Sequence, residues 1–224
     1  MRPVPKLWKP VEKGSVPLGL LISGRGSNLQ AVIDAIAAGN VRARVAVVIS
    51  NRADAEGLRR AERAGIETLV LPHRDFPTRA AYDARLVHEL QSRGVELVCL
   101  AGFMRLLGPA FCDAFPDAIL NVHPSLLPKF PGVDAQQQAL AAGESVSGAT
   151  VHFVTPALDA GPIILQAAVP VHRSDTAATL SARILAEEHR ILPEAIQLIA
   201  DGRCRVDGGR VIIGPPAQPP LTRA

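Results

Sequence analysis

The sequence predicts an α/β protein built on a doubly wound, Rossmann-like, mainly parallel sheet with an antiparallel C-terminal extension. Three observations carry that reading. Short apolar runs alternate with helix-period segments at close spacing through residues 17–122. Those runs are continuous rather than alternating, as expected of strands covered on both faces. After residue 132 the rhythm changes to two strands, one long helix and a hairpin.

Taken in order, VPLGLLIS is a short apolar run read as a buried strand. SNLQAVIDAIAAG follows with Leu29, Val32, Ile33 and Ile36 at helical spacing and Gly39 as its stop. VRARVAVVIS reads as a strand, DAEGLRRAERAG as a polar-faced helix ending at Gly65, and IETLVL as a strand. TRAAYDARLVHELQSRG is a longer amphipathic helix closed by Gly94. VELVCLAGF is an apolar strand, PAFCDAF a short helical piece, and DAILNVHP holds a further strand. GATVHFVTPALDAGPIILQAAVPV reads as two mutually antiparallel strands joined by a loop. The helix DTAATLSARILAEEHRILPEAIQLIADG offers Leu180, Ile184, Leu185, Ile191, Ile196 and Ile199 as its apolar stripe. CRVDGGRVIIG closes the fold as a hairpin with a Gly-Gly turn. The expected organisation is an irregular leader over 1–16, one domain over 17–205, and a hairpin with an irregular tail over 206–224. Within the domain, 17–122 forms a phosphate-binding half and 123–205 the second half.

Bulk composition excludes several classes. At 224 residues, 48% hydrophobic and 20% charged, the chain is long enough for a substantial core. The net charge of +3 comes from scattered basic residues, and aromatics at 4% leave little with which to stack bases, so no nucleic-acid partner is expected. Cys99, Cys112 and Cys204 are odd in number and widely spaced, giving neither a complete disulfide framework nor zinc-ligand spacing. No stretch reaches the roughly 18 consecutive apolar residues of a membrane span, and the proline-containing leader lacks a signal-peptide core. The expectation is a cytoplasmic protein without a metal, acting on small molecules; a homodimer is left open.

Two loops carry chemistry. The first strand runs into GRGSN and then a helix, which exposes backbone N–H groups at the positive helix end and favours an anion. Gly24 and Gly26 allow close backbone approach, while Ser27 and Asn28 can cap the helix or donate to phosphate oxygens. Leu29 stands where a dinucleotide fingerprint would place its third glycine, and no Gly-Lys-Ser/Thr ending is present. The loop therefore suits a phosphate monoester better than NAD or ATP, although a helix-starting turn with no ligand has the same sequence. In LNVHPSLLPKFPG, Asn121 and His123 are two residues apart at a strand end and share one face. An amide beside an imidazole offers an oxyanion donor and a proton carrier. Asp159, in TPALDAGP, either starts a turn or orients His123, and His152 in TVHFV either packs structurally or faces the same site.

SGRGSNLQAVIDA, SNRADAEGLRRAERAGI, LAGFMRLLGPAF, NVHPSLLPKFPG and VHFVTPALDAGPIILQAAVPV together resemble the phosphoribosylglycinamide formyltransferase family, folate-dependent enzymes of purine synthesis. The resemblance spans about residues 17–205. It implies that Asn121, His123 and Asp159 are catalytic, and that Gly26, Ser27, Asn28 and Glu188 bind the nucleotide substrate. It likewise implies a folate pocket formed by Arg79, Met104, Arg105, Leu106 and Leu107 with Asn121, Ala157, Leu158 and Asp159. The donor would be 10-formyltetrahydrofolate and the acceptor the amine of glycinamide ribonucleotide, reacting directly through a tetrahedral intermediate. Two departures stand out. Asp134 and Gln136 lie where the family commonly has a histidine-containing stretch, so a different partner for the aspartate is expected. Ala160 replaces a glycine, which stiffens its loop. Related deformylases usually add an N-terminal domain, and methionyl-tRNA formyltransferases a further domain; neither accounts for GRGSN. A non-catalytic binding module on the same fold has no need of all three of Asn121, His123 and Asp159.

Overall fold

A computed structural model describes residues 15–215. In chain order its elements are β1 Val16–Ile22, α1 Ser27–Ala37, β2 Ala43–Ser50, α2 Glu56–Arg63, β3 Thr68–Val70, α3 Arg79–Gln91, β4 Leu97–Leu100 and α4 Pro109–Ala114. There follow β5 Ile119–His123, α5 Ala135–Ala141, β6 Val146–Phe153, β7 Ile163–Pro170, α6 Ala177–Ala200, β8 Cys204–Asp207 and β9 Arg210–Ile213. Seven strands form one sheet in the order β3-β2-β1-β4-β5-β6-β7, and β8 and β9 pair separately. Pairing is parallel from β3 through β5 and antiparallel at β5–β6 and β6–β7. The doubly wound sheet and its antiparallel extension are as the sequence predicts.

The central strands explain that legibility. All four residues of β4 are buried, as are six of the seven in β1, so apolar side chains are required on both faces. Helix α1 buries Leu29 and Val32, while Ile33 and Ile36 pack half-buried at its edge. Thr78 caps α3 by accepting from the Ala81 N–H, and Thr176 and Thr179 cap α6 reciprocally. Glycines at 39, 65 and 94 have positive φ, as helix stops do.

Several boundaries differ from expectation. β1 starts at Val16, inside the expected leader; residues 1–14 and 216–224 lie outside the described residues. Helix α5 carries no sequence signal, because Ala135–Ala141 is a short run of mainly alanine and glutamine with no clear apolar period. Leu185 is half-buried, whereas Leu192 and Leu198 are buried on α6. The three cysteines are free and buried, and burial pushes the Cys99 thiol up to about 12, which keeps it an inert thiol. Among the described residues no helix is long and apolar enough to cross a membrane.

The strand order puts a topological switch between β1 and β4: the chain winds outward from β1 through β2 to β3, then returns to the other side of β1. Ligands of open α/β sheets commonly sit at such a switch, and here the loops after β1 and β4 meet at their roots, where the Ser23 N–H donates to Gly102 O at 3.1 Å. β5 lies beside β4, with Leu100 level with Asn121. The loop after β6 leaves at the far end of β5, where the Val154 N–H donates to Ile119 O, and then folds back. Gly161 makes this return fit, since a Cβ there would lie 1.8 Å from Phe153 O. Gly161→Ala is therefore expected to cost about 1–3 kcal/mol, the usual penalty of forcing atoms into a filled site. Urea denaturation would measure it, and unchanged stability would contradict this account of the loop.

Candidate active site

Asn121 and His123 project from one face of β5, opposite His152 and Thr150 of β6. His123 is 4% exposed. Its Nε2–H donates to the carbonyl of Phe130 at 2.8 Å, and Phe130 takes a left-handed backbone (φ 55°) beside it. A carbonyl only accepts, so Nε2 carries the proton and Nδ1 is the atom turned towards Asp159, 3.4 Å from Oδ2. The same Oδ2 accepts the Gly132 N–H at 2.8 Å.

His152 joins this group. Its Nδ1–H donates to Phe153 O at 2.9 Å, which leaves Nε2 as an acceptor for the Asn121 amide at 3.2 Å. Nε2 also lies 3.7 Å from Asp159 Oδ1. Burial, the dominant influence, pushes the His152 pKa down, in keeping with a neutral ring that accepts from Asn121. One hydrogen of the Asn121 Nδ2 group is thereby used and the other is available to a substrate oxygen. Sequence alone left His152 undecided; its role depends on a cross-strand pairing that no local motif encodes. The aspartate's hydrogen-bond donor is the Gly132 N–H, not Asp134, which has a left-handed backbone and starts α5.

The first loop is organised differently from a simple capped turn. Gly26 occupies the N-cap of α1 at φ 70° and no side chain caps the helix. A Cβ at Gly26 would meet Gly57 Cα at 2.5 Å, so this glycine is demanded by α2 packing against the loop as well as by its φ. Gly24, by contrast, is exposed with open space where a Cβ would stand. Ser27 is half-buried at the first turn. The Asn28 amide donates to Glu188 Oε2 at 2.6 Å, and its own Oδ1 is buried without a partner. Glu188, 7% exposed on α6, is raised above the usual carboxylate range by burial, against the pull of the Asn28 hydrogen bond and the Arg25 charge. Thus Asn28 and Glu188, from opposite ends of the chain, stand together beside the helix N-terminus.

The remaining predicted residues divide. Met104, Arg105 and Leu106 are exposed in the loop after β4, Met104 by 72% and Leu106 by 59%, whereas Leu107 belongs to the core. Arg79 is exposed at the start of α3. Ala157 and Leu158 are exposed in the returning loop with Asp159, whose φ is 47°. Leu158 lies over Gly132, next to the exposed Val133. Exposed apolar side chains in the loops around Asn121 and His123 suit a flat, partly apolar ligand. Among the described residues no group of three or more His, Cys, Asp or Glu side chains is set to hold a metal ion.

On this open α/β sheet with its amide–imidazole–carboxylate group, residues 18–196 match the formyl transferase family. The chain belongs to that family. Phosphoribosylglycinamide formyltransferase of Escherichia coli (strain K12) is 49% identical over 187 residues, covering 84% of this chain and 88% of that protein. The trifunctional purine biosynthetic protein adenosine-3 of Homo sapiens is 48% identical over 201 residues, covering 89% of this chain. This chain spans only 20% of that relative's length. Among solved structures, glycinamide ribonucleotide transformylase 1 from Symbiobacterium toebii superposes with a TM-score of 0.88 at 58% identity, covering 89% of this chain and 94% of that one.

Glu188 provides a pH test. With its folded pKa raised, the folded protein binds more protons than the unfolded chain from pH 4.5 up to the raised value, so stability falls as pH rises through that window. Glu188→Gln removes this loss, and is expected to raise the Tm of the free protein at neutral pH by roughly 2–4 °C, the shift about 1 kcal/mol produces in a chain of this size. Thermal melts of both proteins across pH would check it; a lower Tm at neutral pH would refute it.

Proposed function

We propose that the protein transfers the formyl group of 10-formyltetrahydrofolate to the amine of glycinamide ribonucleotide in purine synthesis. The observation that carries this reading is the meeting of Asn121, His123 and Asp159 beside a β1–α1 loop backed by Asn28 and Glu188. Ser27, Gly26 and the uncapped first turn of α1 suit the phosphate, and buried Glu188 suits the hydroxyls of a ribose. Met104, Leu106, Leu158 and the Arg79 and Arg105 side chains suit a donor with an apolar ring system and an acidic tail. Two small molecules in the cytoplasm are the partners this reading requires, and it leaves open association with a second copy.

The reaction balances without redox chemistry. A bond forms between the attacking amine and the formyl carbon, and the bond from that carbon to the donor nitrogen breaks. One proton leaves the attacking nitrogen and one reaches the leaving nitrogen, so the protein has only to relay it. Negative charge grows on the formyl oxygen, where the free Asn121 N–H donates; removing a comparable donor typically costs about 3–4 kcal/mol. Since the Phe130 carbonyl holds His123 Nε2–H, His123 exchanges protons through Nδ1, on the Asp159 side. Asp159 orients that ring and favours its protonated form during transfer. His152 keeps the Asn121 amide turned so that nitrogen, not oxygen, faces the charge.

The purified protein would be assayed by absorbance for consumption of 10-formyltetrahydrofolate with and without glycinamide ribonucleotide. Consumption that depends on the nucleotide supports the transferase. Equal loss without it would show transfer to water, and binding without turnover would show a binding module. Asp159→Asn is expected to lower kcat by roughly 10²-fold or more while the thermal melt stays cooperative. Near-normal kcat in that variant would overturn the role given to the carboxylate.

A further inference from the structure

The loop between β4 and α4 carries two exposed apolar side chains, Met104 and Leu106, on a backbone that is held at both ends by buried side chains from elsewhere. At its start, the Met104 N–H donates to Ser23 Oγ at 2.9 Å. The same hydroxyl donates to Asn51 Oδ1 at 2.7 Å, and the Ser23 N–H donates to Gly102 O at 3.1 Å. Asn51 continues to His73 Nδ1 at 3.4 Å. Ser23 is 8% exposed and sits at the end of β1, at the switch between β1 and β4. At the loop's end, the Gly108 N–H donates to Asp83 Oδ2 at 2.8 Å. Asp83 is 3% exposed on α3, and a Cβ at Gly108 would lie 2.8 Å from that oxygen.

Stability alone is a poor reason for this arrangement. Asp83 Oδ1 is buried without a partner, and burying a carboxylate with one hydrogen bond is unfavourable. Burial raises the Asp83 pKa, while the Gly108 N–H and the nearby Arg79 and Arg105 favour the charged form. Held at both ends, the loop presents Met104 and Leu106 outward while Leu107 packs in the core. The segment stands beside Asn121, because Leu100 at its root is level with that residue across β4–β5.

We infer that Ser23 and Asp83 are positioning residues that fix the segment 104–107 as a preformed wall for the formyl donor. The inference rests on the formyl-transfer reading above and adds to it two residues that touch no substrate. Fixing the wall in advance lowers the ordering cost of binding, so losing an anchor acts on donor affinity first. Asp83 lies on α3, away from the loop beside Asn28, so its effect is confined to the donor side. Ser23 adjoins that loop and carries the anchor into the nucleotide half.

The test compares Ser23→Ala and Asp83→Ala with the conservative Ser23→Thr and Asp83→Asn, which keep an oxygen to accept from Met104 and Gly108. Steady-state kinetics with 10-formyltetrahydrofolate and glycinamide ribonucleotide are expected to show donor KM raised about tenfold in both alanine variants, with kcat within about threefold. For Asp83→Ala the nucleotide KM stays within about twofold, and the conservative variants recover most of the donor KM. Hydrogen exchange of the ligand-free protein is expected to speed up at the Met104 amide in Ser23→Ala and at the Gly108 amide in Asp83→Ala. Equal changes in both KM values, tracking a fall in Tm, would overturn the inference, as would unchanged amide protection. Failure of the wild-type protein to take 10-formyltetrahydrofolate would instead overturn the formyl-transfer reading and the ligand assigned to the wall, while the amide exchange would still decide whether the anchors hold it.

Discussion

The register between β5 and β6 is the constraint on which the candidate site depends. Asn121 stands opposite His152 and His123 opposite Thr150. A slip of one residue would turn one strand's side chains to the other face and separate all four. Thr150 pins the alignment with every hydrogen-bonding position of its hydroxyl. It donates to Ser125 O at 2.7 Å and accepts from the Leu127 N–H at 3.1 Å and the Gln166 amide at 2.9 Å. One buried hydroxyl thus ties the loop after β5 to β6 and β7. That same loop brings Phe130 O to His123 and Gly132 N–H to Asp159. The scaffold for proton chemistry is therefore a set of satisfied backbone groups, not only the side chains that would react.

The parallel half contributes a different element, a helix N-terminus with no side-chain cap, set beside the switch point. Its position relies on glycine meeting glycine, since α2 approaches the β1–α1 loop at Gly57 and leaves no room for a Cβ at Gly26. The long helix α6 then packs on α1 and supplies Glu188 to Asn28. Residues 160 positions apart are thereby joined through a buried polar contact as well as through the sheet.

Much of this was legible in the sequence because long-period signals are local. Continuous apolar runs such as LLI and LVCL mark strands buried on both sides, and Leu29, Val32 and Ile36 mark a helix face. Asn121 and His123 could be paired by strand alternation alone. Asp159, His152 and Glu188 could not be placed that way, because each reaches the site through tertiary contacts with residues far away in sequence. The apolar group at 104–107 divides into outward Met104 and Leu106 and inward Leu107 only when the loop's backbone is known. Ser23 and Asp83 gave no motif at all: their partners are backbone N–H groups, which no side-chain pattern reveals.

Unfavourable local terms gather where chemistry is expected. Phe130 and Asp159 both have left-handed backbones, Glu188 is a buried acid, and Asn28 has an unpartnered buried oxygen. Each left-handed residue costs of the order of 1–3 kcal/mol, which the extensive apolar core can offset. The Phe130 conformation directs its carbonyl at His123, and that carbonyl determines which nitrogen of the ring carries a proton. Asp159 is a subtler case, since aspartate tolerates the left-handed region better than most residues. Asparagine shares that tolerance, so backbone geometry does not by itself select the acid. What distinguishes the acid is its setting: its Oδ2 accepts the Gly132 N–H and lies 3.4 Å from His123 Nδ1, an acceptor in the neutral ring that would become a donor to the carboxylate on gaining a proton.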